Sequence, residues 1–243
     1  MASPSRSPWK ARRLFFKPIL AGASLADRLV VSVGALLAIT ATYVTMALLF
    51  GWSTSSVLLV APMGASAVLV FAVPASPLAQ PWPVIGGNVV SVLIGVTAAR
   101  FIPALPLAAG VAVGGAIATM SLMRCLHPPG GAAALVVVIG GPTVTSAGYL
   151  FALEPVAMNA VVLTVAGLLF HRVSGHSYPH RPLLRPTAGL GGSPDLLHRS
   201  DLDAALADLH ETFDISRDDL DALLRRAEAH AARRRATGLP AGG

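Results

Sequence analysis

The residue with the richest chemistry in this sequence stands where its apolar surroundings have least use for it. His127 heads the run His127-Pro128-Pro129-Gly130-Gly131, set between two apolar stretches. Imidazole is the side chain that ordinarily titrates near neutral pH, so it can couple the passage of an ion to a proton. Proline lacks the amide hydrogen and crowds the preceding turn, which predicts the end of one helix at about Leu126. The same residues suit the first turn of a second helix, from Gly130 onward. A fresh helix start offers unpaired N–H groups and a partial positive charge, able to hold a small anion without a buried cation. Gly130 and Gly131 carry no side chain to keep an ion off the backbone. Arg124, one helical turn before His127 at i−3, is placed to attract anions at a vestibule.

A second stretch matches the first. Pro62-Met63-Gly64-Ala65-Ser66-Ala67-Val68-Leu69-Val70 aligns without gaps on Pro128-Pro129-Gly130-Gly131-Ala132-Ala133-Ala134-Leu135-Val136, an offset of 66. A five-residue length adjustment then brings Asn88 onto Asn159 and Arg100 onto His171. If the chain is a duplication, each half has three crossings, so the second copy is inverted relative to the first. Inverted repeats with helices broken at matching positions are the signature of secondary transporters that hold substrate near the midplane. The helix starts after Pro62 and Pro128 would then face one another as a two-sided cradle for a small planar monoanion. Gly64 and Ala65 would let it approach the backbone, Ser66 would add a hydroxyl donor, and Asn88 and Asn159 would add amides.

Structural readings of the same residues stand beside these. Pro128-Pro129-Gly130 also reads as a kink in which His127 donates a hydrogen bond to a freed carbonyl. Asn88 and Asn159 also read as ties between neighbouring helices. Arg124 and Arg100 also read as side chains snorkelling to opposite interfaces. Ser66 is open between packing and function.

The elements that position these residues follow from composition. Of 243 residues, 54% are hydrophobic and 12% charged, with mean hydropathy +0.67; an ordinary soluble domain carries about a quarter charged residues. Between Leu29 and His171 the only charged side chains are Arg100, Arg124 and Glu154, whereas ten of the twelve acids fall between Asp195 and Glu228. A membrane body and a polar tail are the expectation. Apolar runs at Leu29–Phe50, Ser53–Val73, Val84–Phe101, Leu105–Leu126, Gly130–Leu153 and Pro155–His171 predict about six crossings. Gly51-Trp52 makes a tight hairpin of the first two, and Pro74 to Pro83 is a proline-rich loop with Trp82 at the interface. The glycine-rich fourth run is suited to close packing, within the chain or between copies of it.

The net charge of +6 comes largely from Arg6, Lys10, Arg12, Arg13 and Lys17 before the body and Arg172, Arg181 and Arg185 after it. By the positive-inside rule both termini are cytoplasmic, at the inner (plasma) membrane, and nucleic acid is not the partner. Arg12-Arg13-Leu14-Phe15-Phe16 looks like a twin-arginine signal, but Pro18, Asp27 and Arg28 interrupt the apolar run it needs. The domain reading is a basic segment (1–27), a transmembrane domain (28–173), a linker (174–199), a cytoplasmic helical hairpin (200–236) and a disordered tail (237–243). The hairpin is marked by the capping boxes Ser200-Asp201-Leu202-Asp203 and Ser216-Arg217-Asp218-Asp219.

His127-Pro128-Pro129-Gly130-Gly131, Pro62 to Leu69, Ser76-Pro77-Leu78-Ala79-Gln80-Pro81-Trp82 and Tyr178-Pro179-His180 together resemble the HPP family of integral membrane proteins, over roughly Leu14 to Arg185. The resemblance implies a polytopic helical fold; family members with an assigned role are linked to nitrite transport. Many bacterial relatives continue into a pair of nucleotide-sensing CBS modules, and Asp201–Arg235 is similar to the segment leading to them.

The expected protein is all-α, a polytopic helix bundle that moves a small inorganic anion, nitrite first, with possible proton coupling and possible self-association. The alternative is a membrane sensor or scaffold whose tail engages a partner. The spans show no paired carboxylates, no nucleophile with an evident base and no cofactor motif, so an enzyme is not expected. Cys125 beside His127 falls short of the four ligands a structural metal site needs.

Overall fold

The computed structural model describes residues 25–52, 59–181, 199–209 and 214–236. Most of the basic segment (1–24), the start of the second run (53–58), most of the linker (182–198), the middle of the hairpin (210–213) and the last seven residues lie outside them. Within the described residues every regular element is helical. Among the described residues four helices are long and apolar enough to cross a membrane: α1 (Leu25–Phe50), α3 (Pro83–Phe101), α4 (Leu105–Leu122) and α7 (Ala152–Ser174). Two apolar helices are short, α2 (Pro62–Ala72) and α5 (Pro128–Ile139). At 1.5 Å per residue α2 rises only about 16 Å, roughly half of a hydrocarbon core. A six-residue helix, α6 (Pro142–Ala147), follows α5, and α8 (Arg199–Leu209) and α9 (Arg217–Ala236) belong to the tail.

Two anchors identify one end of the bundle. Arg28 Nη1 donates to Ala72 O at 3.3 Å, and the His171 ring meets Val70 O at 2.8 Å. The start of α1, the end of α2 and the end of α7 therefore lie together, at what we call the tail end. Trp82 Nε1 donating to Met123 O at 3.1 Å adds the start of α3 and the end of α4. At the opposite end Thr97 and Tyr149 hydroxyls pair at 3.1 Å.

Packing relies on small residues. A Cβ on Gly95 of α3 would lie 2.5 Å from Ala134 O, so only glycine lets α3 and α5 approach this closely. The buried core includes Met63, Phe71, Val92, Ala133, Val156 and Leu163. The outside is also apolar: Leu29, Leu36, Leu48, Phe101, Leu107 and Leu122 are all exposed. A shell so apolar over its whole length fits hydrocarbon and not water.

Several boundaries differ from the sequence expectation. The fourth helix stops at Leu122, not Leu126, because Arg124 takes a left-handed conformation (φ 54°) and the chain stays non-helical to His127. Arg124 is thus exposed on an irregular turn and not one helical turn before His127. The helix after the break begins at Pro128 itself, with His127 extended before it, since proline tolerates the first turn. The fifth run is helical only to Ile139, where Gly140 and Gly141 are extended before Pro142. α1 starts four residues early, at Leu25, and α7 opens at Ala152 with a wide π-type turn through Pro155. Arg199 already lies inside α8, so Ser200 does not cap it, whereas Ser216 caps α9 by accepting from Asp219 N at 3.1 Å.

Candidate functional site

The His127 break is built by four elements. α5 supplies His127 as its capping residue, α2 supplies Ser66, the start of α3 supplies Gly87, Asn88 and Ser91, and the turn after α2 supplies Leu78. His127, Ser66, Asn88 and Ser91 are all fully buried. One imidazole nitrogen, Nδ1, lies 2.9 Å from Leu78 O; the other, Nε2, lies 2.8 Å from Ser66 Oγ. A carbonyl only accepts, so Nδ1 carries the proton and Nε2 of the neutral ring accepts from the Ser66 hydroxyl. Asn88 Nδ2 donates to Ser66 Oγ at 3.3 Å and to Val84 O at 2.8 Å.

The hydrogen-bond geometry is compatible with either protonation state of the ring. If the ring gains a proton, Nε2–H donates to Ser66 Oγ, and the Ser66 hydroxyl turns to Pro62 O, 3.2 Å away. Each state leaves the ring and the serine satisfied, and only a hydroxyl rotates between them. Asn88 Oδ1 is different. Among the described residues it is a buried side-chain oxygen with no hydrogen-bond partner. Such an orphan costs on the order of 1–3 kcal/mol, and this one is an acceptor, so it calls for a group bearing hydrogen.

Glycines close the site. A Cβ on Gly87 would lie 2.6 Å from His127 Cβ and 2.7 Å from Cys125 O; one on Gly130 would lie 2.6 Å from Ser91 Oγ and 2.9 Å from Met120 Sδ. Gly130 therefore serves contact with α3 and α4. The α5 start is also poorer in free donors than an ordinary helix start. Pro128 and Pro129 have no N–H, and Gly130 N already donates to His127 O at 2.8 Å.

The remaining expected residues fall around the α2 break. Asn159 is fully buried and its Oδ1 accepts from Val60 N at 3.1 Å, just before Pro62. Pro62 is buried, whereas Gly64 and Ala65 are exposed, and a Cβ on Gly64 would meet nothing within 4 Å. Gly131 is half-buried beside Val113. α2 and α5 pack against each other and run in opposite directions, so their starts overlap side by side, with His127 next to Ser66. Among the described residues no three His, Cys, Asp or Glu side chains are grouped to hold a metal.

Residues that the sequence left unmarked complete the site. The turn Ser76 to Gln80 is held at four positions: Leu78 O by His127, Ala79 O by the Tyr178 hydroxyl at 3.0 Å, Gln80 Oε1 by His180 N at 2.8 Å, and Ser76 Oγ by Asp214 at 2.7 Å. Burial pushes the Tyr178 phenol well above its ordinary range, which keeps its hydroxyl a donor. His180 in turn meets Asp219 at 2.8 Å. The Tyr178-Pro179-His180 signature is thus a clamp on the turn that presents the His127 acceptor, and the tail holds the same turn from outside.

Fold, exterior and break define an all-helical integral membrane protein with polar side chains sealed beside two interrupted helices. The chain belongs to the HPP transmembrane family, whose model matches residues 21–179. It is similar to two transmembrane proteins of Dictyostelium discoideum: 35% identical over 130 residues to one (50% of this chain, 44% of that protein), and 33% identical over 118 residues to the other (47% and 38%). The matched region spans less than half the length of either relative. No solved structure matches the chain.

Proposed function

We propose that the protein carries a small inorganic oxyanion across the inner membrane, nitrite being the first candidate, and that the His127–Ser66–Asn88 cluster couples its passage to a proton. The observation that carries this reading is the cluster itself, three buried polar side chains in a body almost free of charge, one of them with an open acceptor. Polar groups inside a membrane are expensive and typically functional. An anion that arrives with its proton, or as its neutral acid, supplies the hydrogen that Asn88 Oδ1 lacks, and the ring accepts a proton by a hydroxyl rotation alone.

Geometry supports the inverted repeat as the frame. α2 and α5 are antiparallel, Asn159 bonds Val60 before the first break and Asn88 bonds Ser66, which meets His127 at the second, and those asparagines follow π-type turns at corresponding places, Pro83–Gly87 and Ala152–Ala157. In this reading the chain makes six crossings, α2 and α5 each accounting for one, and both termini lie in the cytoplasm. The breaks at Pro62–Ser66 and His127–Gly131 then flank the path and move as it opens.

The test is reconstitution in liposomes, following nitrite, nitrate, formate and chloride uptake with and without a pH gradient. Saturable uptake of a monovalent oxyanion, faster with an inward proton gradient, is the expected result. No flux of any anion ends the transport reading. A scaffold role has one observation in its favour, the grip of the tail on the site's surroundings, Asp214 on Ser76 of the turn and Asp219 on His180. Removing Ser200–Gly243 separates the two, since a transporter keeps flux without its tail and a scaffold loses its partner.

A further inference from the structure

The end away from the tail holds a cavity of about 290 Å³ between the end of α3, the end of α5 and α6, lined by Val96, Arg100, Val137, Val144, Thr145 and Gly148 among others. At roughly 30 Å³ per water it has room for about ten waters, or for a small oxyanion with much of its hydration. Its lining combines the apolar Val96, Ala99, Val137 and Val144 with Arg100 and with Thr145, whose hydroxyl also bonds back to Pro142 O at 3.2 Å. Arg100 has no acidic partner at ion-pair distance among the described residues. A guanidinium presents a planar fork of donors that matches the two oxygens of a nitrite, nitrate, carboxylate or phosphate group.

The corresponding place at the tail end is filled. Arg100 aligns with His171, and Val136, next to the cavity-lining Val137, aligns with Val70. At the tail end His171 is buried and bonds Val70 O at 2.8 Å. Phe71, Phe170 and Tyr178 pack on it with ring centroids 5.1–6.0 Å apart. One end of the molecule thus has a plug where the other has a hollow lined in part by Arg100.

We propose that this cavity is the access vestibule for the oxyanion, with Arg100 as the residue that holds it, on the membrane face opposite the tail. The proposal rests on the transport reading and names where that anion first binds. A lipid phosphate has the same chemistry at this depth, and the experiment separates the two.

Thr145 is exposed and Cys125 is buried, so Thr145→Cys gives a single accessible thiol. Its labelling by a charged, membrane-impermeant maleimide is measured in vesicles of phosphatidylcholine, with and without phosphatidylglycerol. Labelling is expected only from the face opposite the tail, and nitrite is expected to slow it several-fold in both lipids. In Arg100→Gln that protection disappears, while Arg100→Lys retains part of it; gel filtration and the unprotected labelling rate report that each variant is folded. Protection by phosphatidylglycerol and none by nitrite assigns the pocket to lipid and overturns the proposal, as does labelling from the tail face. In flux assays Arg100→Gln should raise the half-saturating nitrite concentration about tenfold with the maximal rate preserved. Unchanged half-saturation removes Arg100 while leaving transport intact. Nitrite protection without flux in the wild type removes transport while leaving the site.

Discussion

The two interrupted helices begin with aligned residues and are packed in opposite ways. Gly130 is walled in by Ser91, Met120 and the Gly87 backbone, whereas its counterpart Gly64 faces open space. Asn159 accepts the backbone N–H of Val60 directly. Asn88 instead donates to a serine and a carbonyl and keeps an acceptor open. One break is a structural joint and the other concentrates titratable and hydrogen-bonding chemistry. Aligned residues do not have aligned surroundings: the stretch at Pro128 carries the imidazole, and the stretch at Pro62 carries the serine that hydrogen-bonds it.

The sharpest way to break this comparison is the glycine pair. Gly130→Ala should cost about 3 kcal/mol, the upper range for overpacking, because its new methyl meets a backbone oxygen and two side chains at 3.0 Å or less. Gly64→Ala should stay within about 0.5 kcal/mol. Thermal unfolding in detergent checks both, and equal losses would show that the breaks are packed alike. Asn159→Ala comes next, at about 2 kcal/mol, since it strands a buried N–H. Asn88→Ala should cost less stability, because it also removes an orphaned acceptor, yet should lose more anion flux. Ser66→Ala should cost about 1 kcal/mol and displace the pH dependence of flux, as the ring then has no hydroxyl to exchange with. The smallest effect belongs to Asp214→Ala, under about 0.5 kcal/mol globally, seen as faster hydrogen exchange over Arg217–Ala236 while flux persists.

Much of this arrangement could be read from residue order. Hydropathy locates the four long helices, because length and apolar composition alone decide them. The proline pairs mark both breaks, because a missing N–H is a local property. Helix ends were less legible. Nothing local says that Arg124 adopts a left-handed turn, which ends α4 four residues early, or that α3 and α7 each open with a π-type turn. The site was legible in its members and not in its connections. His127, Ser66 and Asn88 stand out as polar residues in apolar runs, but the Leu78 carbonyl, 49 residues from His127, is a backbone atom with no sequence mark. The Gly86-Gly87 pair before Asn88 was the available signal that another chain segment approaches there. The anion-cradle reading of the α5 start counted donors that the prolines do not possess. The Tyr178-Pro179-His180 segment resembles a family signature, yet its task of clamping the Ser76–Gln80 turn appears only when elements a hundred residues apart are placed together.

The measurement that tests the central claim most directly is the pH dependence of nitrite uptake into liposomes by the wild type and by His127→Gln. Glutamine keeps a donor toward Leu78 and cannot titrate. Uptake by the wild type should accelerate several-fold with an inward proton gradient, and uptake by His127→Gln should be insensitive to that gradient. The same gradient dependence in both proteins would contradict the account and reduce His127 to a structural bond across the break.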